Sequence, residues 1–359
     1  MRTCIILGTR PEIIKMSPII RACKKQNIDF YVVHTGQHYS YNMDKIFFKE
    51  LKLPEADYNL EVGSGTQAEQ TARALERIEN VLLKERTDVV LVEGDTNTVL
   101  AGALAASKLH IKVGHVEAGL RSYFRFMPEE INRILTDHCS DFLFAPTKKA
   151  KKILEQEGIK SNVFVTGNTI VDAVIQNSRL AERSSIIKKL GLKKDFYALL
   201  TAHRFENVDF KERLKGIIKG LEMINKEFGL KIVYPIHPRT RKNLERFKIK
   251  IPGGIELIEP VGYIDFLKLE ENAKIVLTDS GGVQEESCVL RVPCVTLREN
   301  TERLETIEVG ANILAGTNPK KMLKSARTML KRKRNWKNPF GDGKAAERII
   351  KILSTKLNN

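Results

Sequence analysis

The stretch Thr3-Cys4-Ile5-Ile6-Leu7, followed at once by Gly8-Thr9-Arg10-Pro11-Glu12, decides how the chain folds. Its apolar run does not alternate with polar residues, so both faces of the strand have to be buried. Gly8 permits a tight turn and Pro11 suits the first position of a helix. The pattern from Ile13 to Gln26 is helical. Strand, turn and helix then recur. Phe30 to Thr35, Asp88 to Glu93, Lys112 to Glu117, Phe142 to Ala145 and Val163 to Thr166 read as strands, with helices such as Thr66 to Glu85 and Thr98 to Leu109 between them. Buried strands separated by helices mean a parallel sheet covered on both sides.

The pattern restarts at Phe196 to Thr201 and continues through Lys231 to Pro235, Ile255 to Ile258, Lys274 to Thr278 and Cys294 to Leu297. The expected fold class is therefore α/β, with two Rossmann-like doubly wound domains. We place them at residues 1–170 and 171–340, with 341–359 as a C-terminal helical segment after the break Asn338-Pro339-Phe340-Gly341-Asp342-Gly343. In open parallel sheets ligands bind beyond the carboxyl ends of the strands. The active site is thus expected in a cleft between the domains.

Composition narrows the function. Hydrophobic residues at 42% and charged ones at 29% fit a globular chain with a real core, and no apolar run approaches the length of a membrane span. The apolar run at the start is too short for a signal peptide. Five cysteines, an odd number without CxxC spacing, argue against a disulfide framework or a structural zinc site, so a reducing cytoplasm is expected. The formal charge of +16 suits a phosphate-bearing ligand. Much of it lies in Lys320-Lys321, Lys324, Arg327 and Lys331-Arg332-Lys333-Arg334. Only Trp336 stands beside that run, and base stacking has little to work with. It reads as a solvated helix face, not as a nucleic-acid site.

The residues just after the strands carry the chemistry. Arg10 and Lys15 follow the first strand, where a helix N-terminus already favours an anion. The segment is not GxGxxG, so no dinucleotide cofactor is expected. Asp95 and Thr96 follow the third strand, as acid groups or as helix caps. Glu117 follows the fourth, and Glu129 and Glu130 stand in the first turn behind Pro128, where acidic charge is favourable on helix grounds alone. No metal-ligand spacing joins these carboxylates, so acid/base chemistry is the stronger reading. In the second half, His203 and His237 each follow a strand. Thr278-Asp279-Ser280-Gly281-Gly282 runs from a strand into a helix whose free N–H groups can meet a phosphate. Glu286 lies one turn further, within reach of ribose hydroxyls, and Arg303 adds a cation after the next strand.

Taken together, GTRPEIIK (8–15), TGQH (35–38), EGDTNT (93–98), HVEAGLR (115–121), PEEINR (128–133), TGNT (166–169), TAHRFEN (201–207), DSGGVQEE (279–286) and LRENTER (297–303) resemble the non-hydrolysing UDP-N-acetylglucosamine 2-epimerases. The resemblance spans about residues 3 to 315. It implies domains of the glycosyltransferase-B type, a C-terminal helix that packs back on the N-terminal domain, a homodimer, and neither metal nor cofactor. It implies reversible C2 epimerisation of UDP-N-acetylglucosamine to UDP-N-acetylmannosamine, by elimination of UDP to 2-acetamidoglucal and re-addition. Carried over by position, Asp95, Glu117, Glu129 and His203 are catalytic. Arg10, Lys15, Arg133, His237, Phe266, Ser280, Gly281, Gly282, Glu286 and Arg303 bind substrate. Two departures stand out: Val261 replaces a polar residue near the uracil, and Tyr39-Ser40-Tyr41-Asn42 replaces the glutamine-containing run of members activated by a second substrate molecule, although Gln37 and His38 are present. A hydrolysing epimerase and a glycosyltransferase of the same architecture are the rival readings.

Overall fold

The computed structural model describes residues 1–36 and 41–357, with no side-chain detail for 41–44. Gln37, His38, Tyr39 and Ser40 lie outside the described residues. The chain divides into two compact units. Unit 1 combines Met1–Gln176 with the chain from Phe340 on, and unit 2 is Asn177–Pro339.

Unit 1 is built on β1 (Arg2–Leu7), β2 (Asp29–His34), β3 (Tyr58–Asn59), β4 (Val89–Glu93), β5 (Lys112–Val116), β6 (Phe142–Ala145) and β7 (Val163–Val165). Among the described residues these form one parallel sheet in the order β3-β2-β1-β4-β5-β6-β7. The order reverses between β1 and β4, and there the turn after β1 comes up against its neighbours. Gly8 is needed at that point for space, not for an unusual backbone angle. A Cβ on it would collide with the hydroxyls of Thr35 and Thr98, which hydrogen-bond each other at 2.7 Å. The helix Arg10–Lys25 starts as the sequence indicates, with Pro11 in its first turn. Glu12 Oε2 accepts from the amides of Gly8 at 2.6 Å and Thr9 at 3.3 Å, which ties the turn to the helix start.

The last helix, Ala345–Leu357, packs against Arg10–Lys25 through a buried face that includes Ile349, Ile350 and Leu353. Its start is capped from a distance: the Asp172 carboxylate accepts from the amides of Ala345 at 3.2 Å and Ala346 at 3.0 Å.

Unit 2 repeats the plan with β8 (Tyr197–Thr201), β9 (Lys231–Pro235), β10 (Ile255–Ile258), β11 (Ile275–Thr278), β12 (Cys294–Thr296) and β13 (Asn312–Leu314). Their parallel order is β10-β9-β8-β11-β12-β13, so the reversal falls between β8 and β11. The helix Pro319–Leu330 covers part of this sheet with Met322, Leu323, Ala326 and Met329, while Lys320, Lys321, Lys324 and Arg327 point outward. Trp336 is buried, and its ring N–H donates to the Cys288 carbonyl at 2.9 Å.

The expected fold class holds: two α/β units, each on a doubly wound parallel sheet. The sequence reading missed β3, whose two residues carry no periodic signal, and β13, whose Asn312 interrupts an apolar strand pattern. No described helix is long and apolar enough to cross a membrane.

Candidate functional site

In unit 1 the acid groups stand at the carboxyl ends of β4 and β5, beside the reversal. β4 ends in Glu93, and Gly94 then turns the chain with φ +89. Asp95 follows, with about a quarter of its side chain exposed. Arg133 grips its Oδ2 through Nη2 at 2.6 Å and Nε at 2.9 Å. Asn132 fixes the same turn by donating to the Asp95 carbonyl at 3.0 Å. The helix cap that follows is Thr96, whose hydroxyl accepts from the Val99 amide, so Asp95 is not used as a cap.

After β5, Glu117 adopts φ +70, a left-handed conformation that a residue with a Cβ rarely takes without support from its surroundings. Its Oε2 receives the Lys15 ammonium at 2.5 Å and the Asn168 amide at 3.0 Å. Lys15 also lies 3.1 Å from Glu93 Oε1. Lys15, read from the sequence as part of an anion site beside Arg10, is buried and its charge is engaged by these two carboxylates. Burial pushes Glu93 well above the ordinary carboxylate range; Lys15 opposes that rise, and Glu117 and Glu12 add to it. The same burial raises Glu12 to about 7, against the hydrogen bonds it accepts.

Arg10 is exposed, with its guanidinium 4.8 Å from the centroid of the Phe47 ring. Glu129 stands half-buried in the first turn of the helix Pro128–Cys139. Its neighbour Glu130 is structural. It accepts from the Ser122 amide and hydroxyl, both at 2.9 Å, the Tyr123 amide at 2.8 Å and Arg133 at 2.5 Å. Burial works to raise its pKa, but these donors hold it below the usual value. His115 links Asp137 Oδ1 at 2.6 Å to the Gly94 carbonyl at 2.9 Å, bracing the turn that carries Asp95.

In unit 2, Asp279 at the end of β11 organises the turn after β8. Its carboxylate accepts from the amides of His203 and Arg204, each at 3.0 Å, and from Asn207 Nδ2 at 3.1 Å, and it pairs with His203 Nδ1 at 3.1 Å. Burial would raise this acid; His203, Asn207 and the Arg204 amide bring it below the ordinary aspartate value. The His203 ring is almost half exposed, and its centroid lies 6.2 Å from that of His237. His237 caps the helix Pro238–Arg246 by accepting from the Arg239 amide.

The helix Gly281–Leu290 starts at Ser280, whose side chain does not cap it, so its first amides are not met from there. A Cβ on Gly281 would lie 3.0 Å from Glu302 Oε1 and 3.3 Å from Arg303 Cζ; on Gly282 it would meet nothing within 4 Å. Gly281 is thus closely packed by its neighbours. Gly282 leaves open space over the helix start, of the kind a phosphate can enter. Arg303 reaches Glu302 at 2.8 Å and Glu285 at 3.2 Å, and Arg298 and Arg204 approach Glu302 at 3.1 and 3.8 Å. Glu286 accepts the Tyr263 hydroxyl at 2.9 Å. Phe266 is half-buried against the hydrophobic cluster that also takes Val261.

The structure therefore gathers Lys15 and Glu117 in one cluster, Asp95 and Arg133 in another, and His203, His237 and Asp279 in a third. It sets Gly281 against Arg303. Sequence reasoning passed over Glu93, Asn168, Asp279 and Glu302 as participants. All four lie inside the motifs quoted above; Asp279 and Glu302 adjoin Ser280 and Arg303, and Glu93 is two positions from Asp95. Among the described residues, no group of three or more His, Cys, Asp or Glu side chains is placed to hold a metal ion.

Two doubly wound units, each with its polar residues gathered at the ends of its parallel strands, define an α/β protein of the glycosyltransferase-B type. A family model described as UDP-N-acetylglucosamine 2-epimerase matches residues 21–354, and the chain belongs to that family. It is 61% identical to the UDP-N-acetylglucosamine 2-epimerase of Methanocaldococcus jannaschii, over 99% of both chains. It is 43% identical to a UDP-2,3-diacetamido-2,3-dideoxy-D-glucuronate 2-epimerase of Pseudomonas aeruginosa, again over 99% of each. A crystal structure of the M. jannaschii UDP-GlcNAc 2-epimerase in complex with UDP-GlcNAc and UDP matches with a TM-score of 0.93, covering 99% of this chain and all of that one.

Proposed function

We propose that the protein interconverts UDP-N-acetylglucosamine and UDP-N-acetylmannosamine by inverting C2, without releasing free sugar. The observation that carries this reading is Glu117. It is a carboxylate at a strand end, in a rarely adopted backbone conformation, held by Lys15 and Asn168 beside the turn that presents Asp95. Family membership and the names of the relatives support the choice of substrate.

The C2 proton of an N-acetylhexosamine has no ring carbonyl beside it, so direct removal is costly. Breaking the C1–O bond to UDP puts positive charge on C1 and acidifies C2–H. A carboxylate of unit 1 takes that proton, leaving 2-acetamidoglucal and UDP; UDP then adds back to C1 as a proton is delivered to the opposite face of C2. Asp95, Glu117 and Glu129 are the groups for the two transfers. The leaving diphosphate gains charge as the bond breaks. His203, Arg303, Arg10 and the helix start at Ser280-Gly281-Gly282 are the groups that meet it, each such donor being worth a few kcal/mol or so. Glu286 serves the ribose hydroxyls. Arg133 keeps Asp95 in place, and Lys15 does the same for Glu117. We also assign the protein to the cytoplasm as a homodimer, which sedimentation of the purified chain checks.

Incubation with UDP-N-acetylglucosamine alone in heavy water, followed by NMR, tests the proposal. Both UDP-sugars should appear, with deuterium at C2. Free N-acetylmannosamine would indicate a hydrolysing enzyme, and no reaction without an acceptor would indicate a transferase. A parallel incubation with the diacetamido glucuronate nucleotide decides the sugar decoration.

A further inference from the structure

Glu93 has no part in the scheme above, yet it is more deeply buried than Glu117 or Asp95, at 1% exposure. It lies 3.1 Å from Lys15 Nζ, whose nearer contact is Glu117 at 2.5 Å. One buried cation therefore serves two buried carboxylates. The other charged group acting on Glu93 is Glu12, from the same helix as Lys15. His115, on the adjacent strand, is engaged by Asp137 and the Gly94 carbonyl.

We propose that Glu93 is a positioning residue for Glu117, acting through the Lys15 ammonium. The inference rests on Glu117 exchanging the C2 proton. When Glu117 gains that proton, it ceases to be the counter-charge of Lys15, and a buried ammonium without a counter-charge is costly. Glu93, which burial holds toward its neutral form and the Lys15 ammonium draws toward its anion, supplies one on the other side of the same nitrogen, so Lys15 keeps a counter-charge when Glu117 is protonated and stays in place. Glu93 also draws on the same cation, which weakens the hold of Lys15 on the Glu117 anion.

The E93Q variant keeps the shape and removes the charge. Its kcat should fall about tenfold or more, with KM and UDP affinity unchanged within about twofold. The acid limb of its kcat profile should move to lower pH, because the Glu93 charge then neither draws on Lys15 nor opposes the charge of Glu117. A readout independent of turnover is the carboxyl carbon signal of labelled glutamate in NMR, with Glu117 assigned by its loss in E117Q. The Glu117 midpoint should move to lower pH in E93Q, and it should move clearly less when E93Q is added to K15M, where only the direct repulsion between the two carboxylates is left to remove. Should E93Q fail to fold, E93D, which withdraws the carboxylate by one methylene, should shift the midpoint in the same direction.

An unmoved midpoint in the folded variant, or an equal movement in the K15M background, overturns the proposal. If the wild-type protein exchanges no C2 proton, the proposed function falls, while the NMR midpoint still decides whether Glu93 acts on Glu117 through Lys15.

Discussion

Asp95 and Glu117 are held differently: Asp95 by a guanidinium on one oxygen with its flank in solvent, Glu117 by a buried ammonium and an amide. Replacing either by its amide keeps the size and removes the basic oxygen. D95N and E117Q should each lower turnover about 100-fold or more, with UDP affinity by calorimetry nearly unchanged, and E129Q tests the third candidate in the same way. Wild-type turnover in all three would remove the carboxylates from the mechanism. Asp279 makes a prediction about stability. Its folded pKa lies below the ordinary value, so its contribution is complete above about 3.9 and is lost as pH falls through the folded value. The D279N variant should therefore melt lower than wild type at neutral pH, and the gap should close as the solution is acidified. Glu12 behaves in the opposite sense. Its folded pKa is raised to about 7, so ionising it in the folded state costs stability at higher pH, and that cost is relieved as pH falls from about 7 toward its unfolded value. E12Q should flatten this part of the profile in thermal melts.

At the scale of elements, the two glycines at the start of the helix Gly281–Leu290 separate packing from ligand contact. G281A forces Glu302 and Arg303 to shift and should lower the melting temperature. G282A meets no protein atom within 4 Å, so its melting temperature should hold while UDP affinity falls. Unchanged affinity in G282A would take the helix start out of the diphosphate site. The same scale shows what was legible in the sequence. Strands such as β1 and β11 declared themselves because burial on both faces requires unbroken apolar runs. Gly-Thr-Arg-Pro and Asp-Ser-Gly-Gly marked the turns because a turn and a helix start restrict residue type. The partnerships were not legible: Lys15 and Glu117 are 102 positions apart and Glu117 and Asn168 are 51 apart. Such pairs depend on which strands become neighbours, and no local pattern records that. For the same reason Lys15 read as a partner of Arg10 in an anion site and Glu93 as the mere end of a strand.

At the scale of the whole molecule, unit 1 is assembled from both ends of the described chain, while unit 2 is continuous. The single tryptophan, Trp336, belongs to unit 2, so its fluorescence follows that unit alone. A chain ended at Pro339 loses the helix Ala345–Leu357 and leaves its partner face on Arg10–Lys25 uncovered. The shortened protein should lose solubility or melt earlier by far-UV dichroism, with the Trp336 emission transition much less affected. Coincident transitions would mean that the two units unfold as one. A ribosome makes the helix that closes unit 1 only after every residue of unit 2 has been added to the chain. The part of the protein translated first is thus the last to be finished, and throughout synthesis its bare apolar flank is available to chaperones.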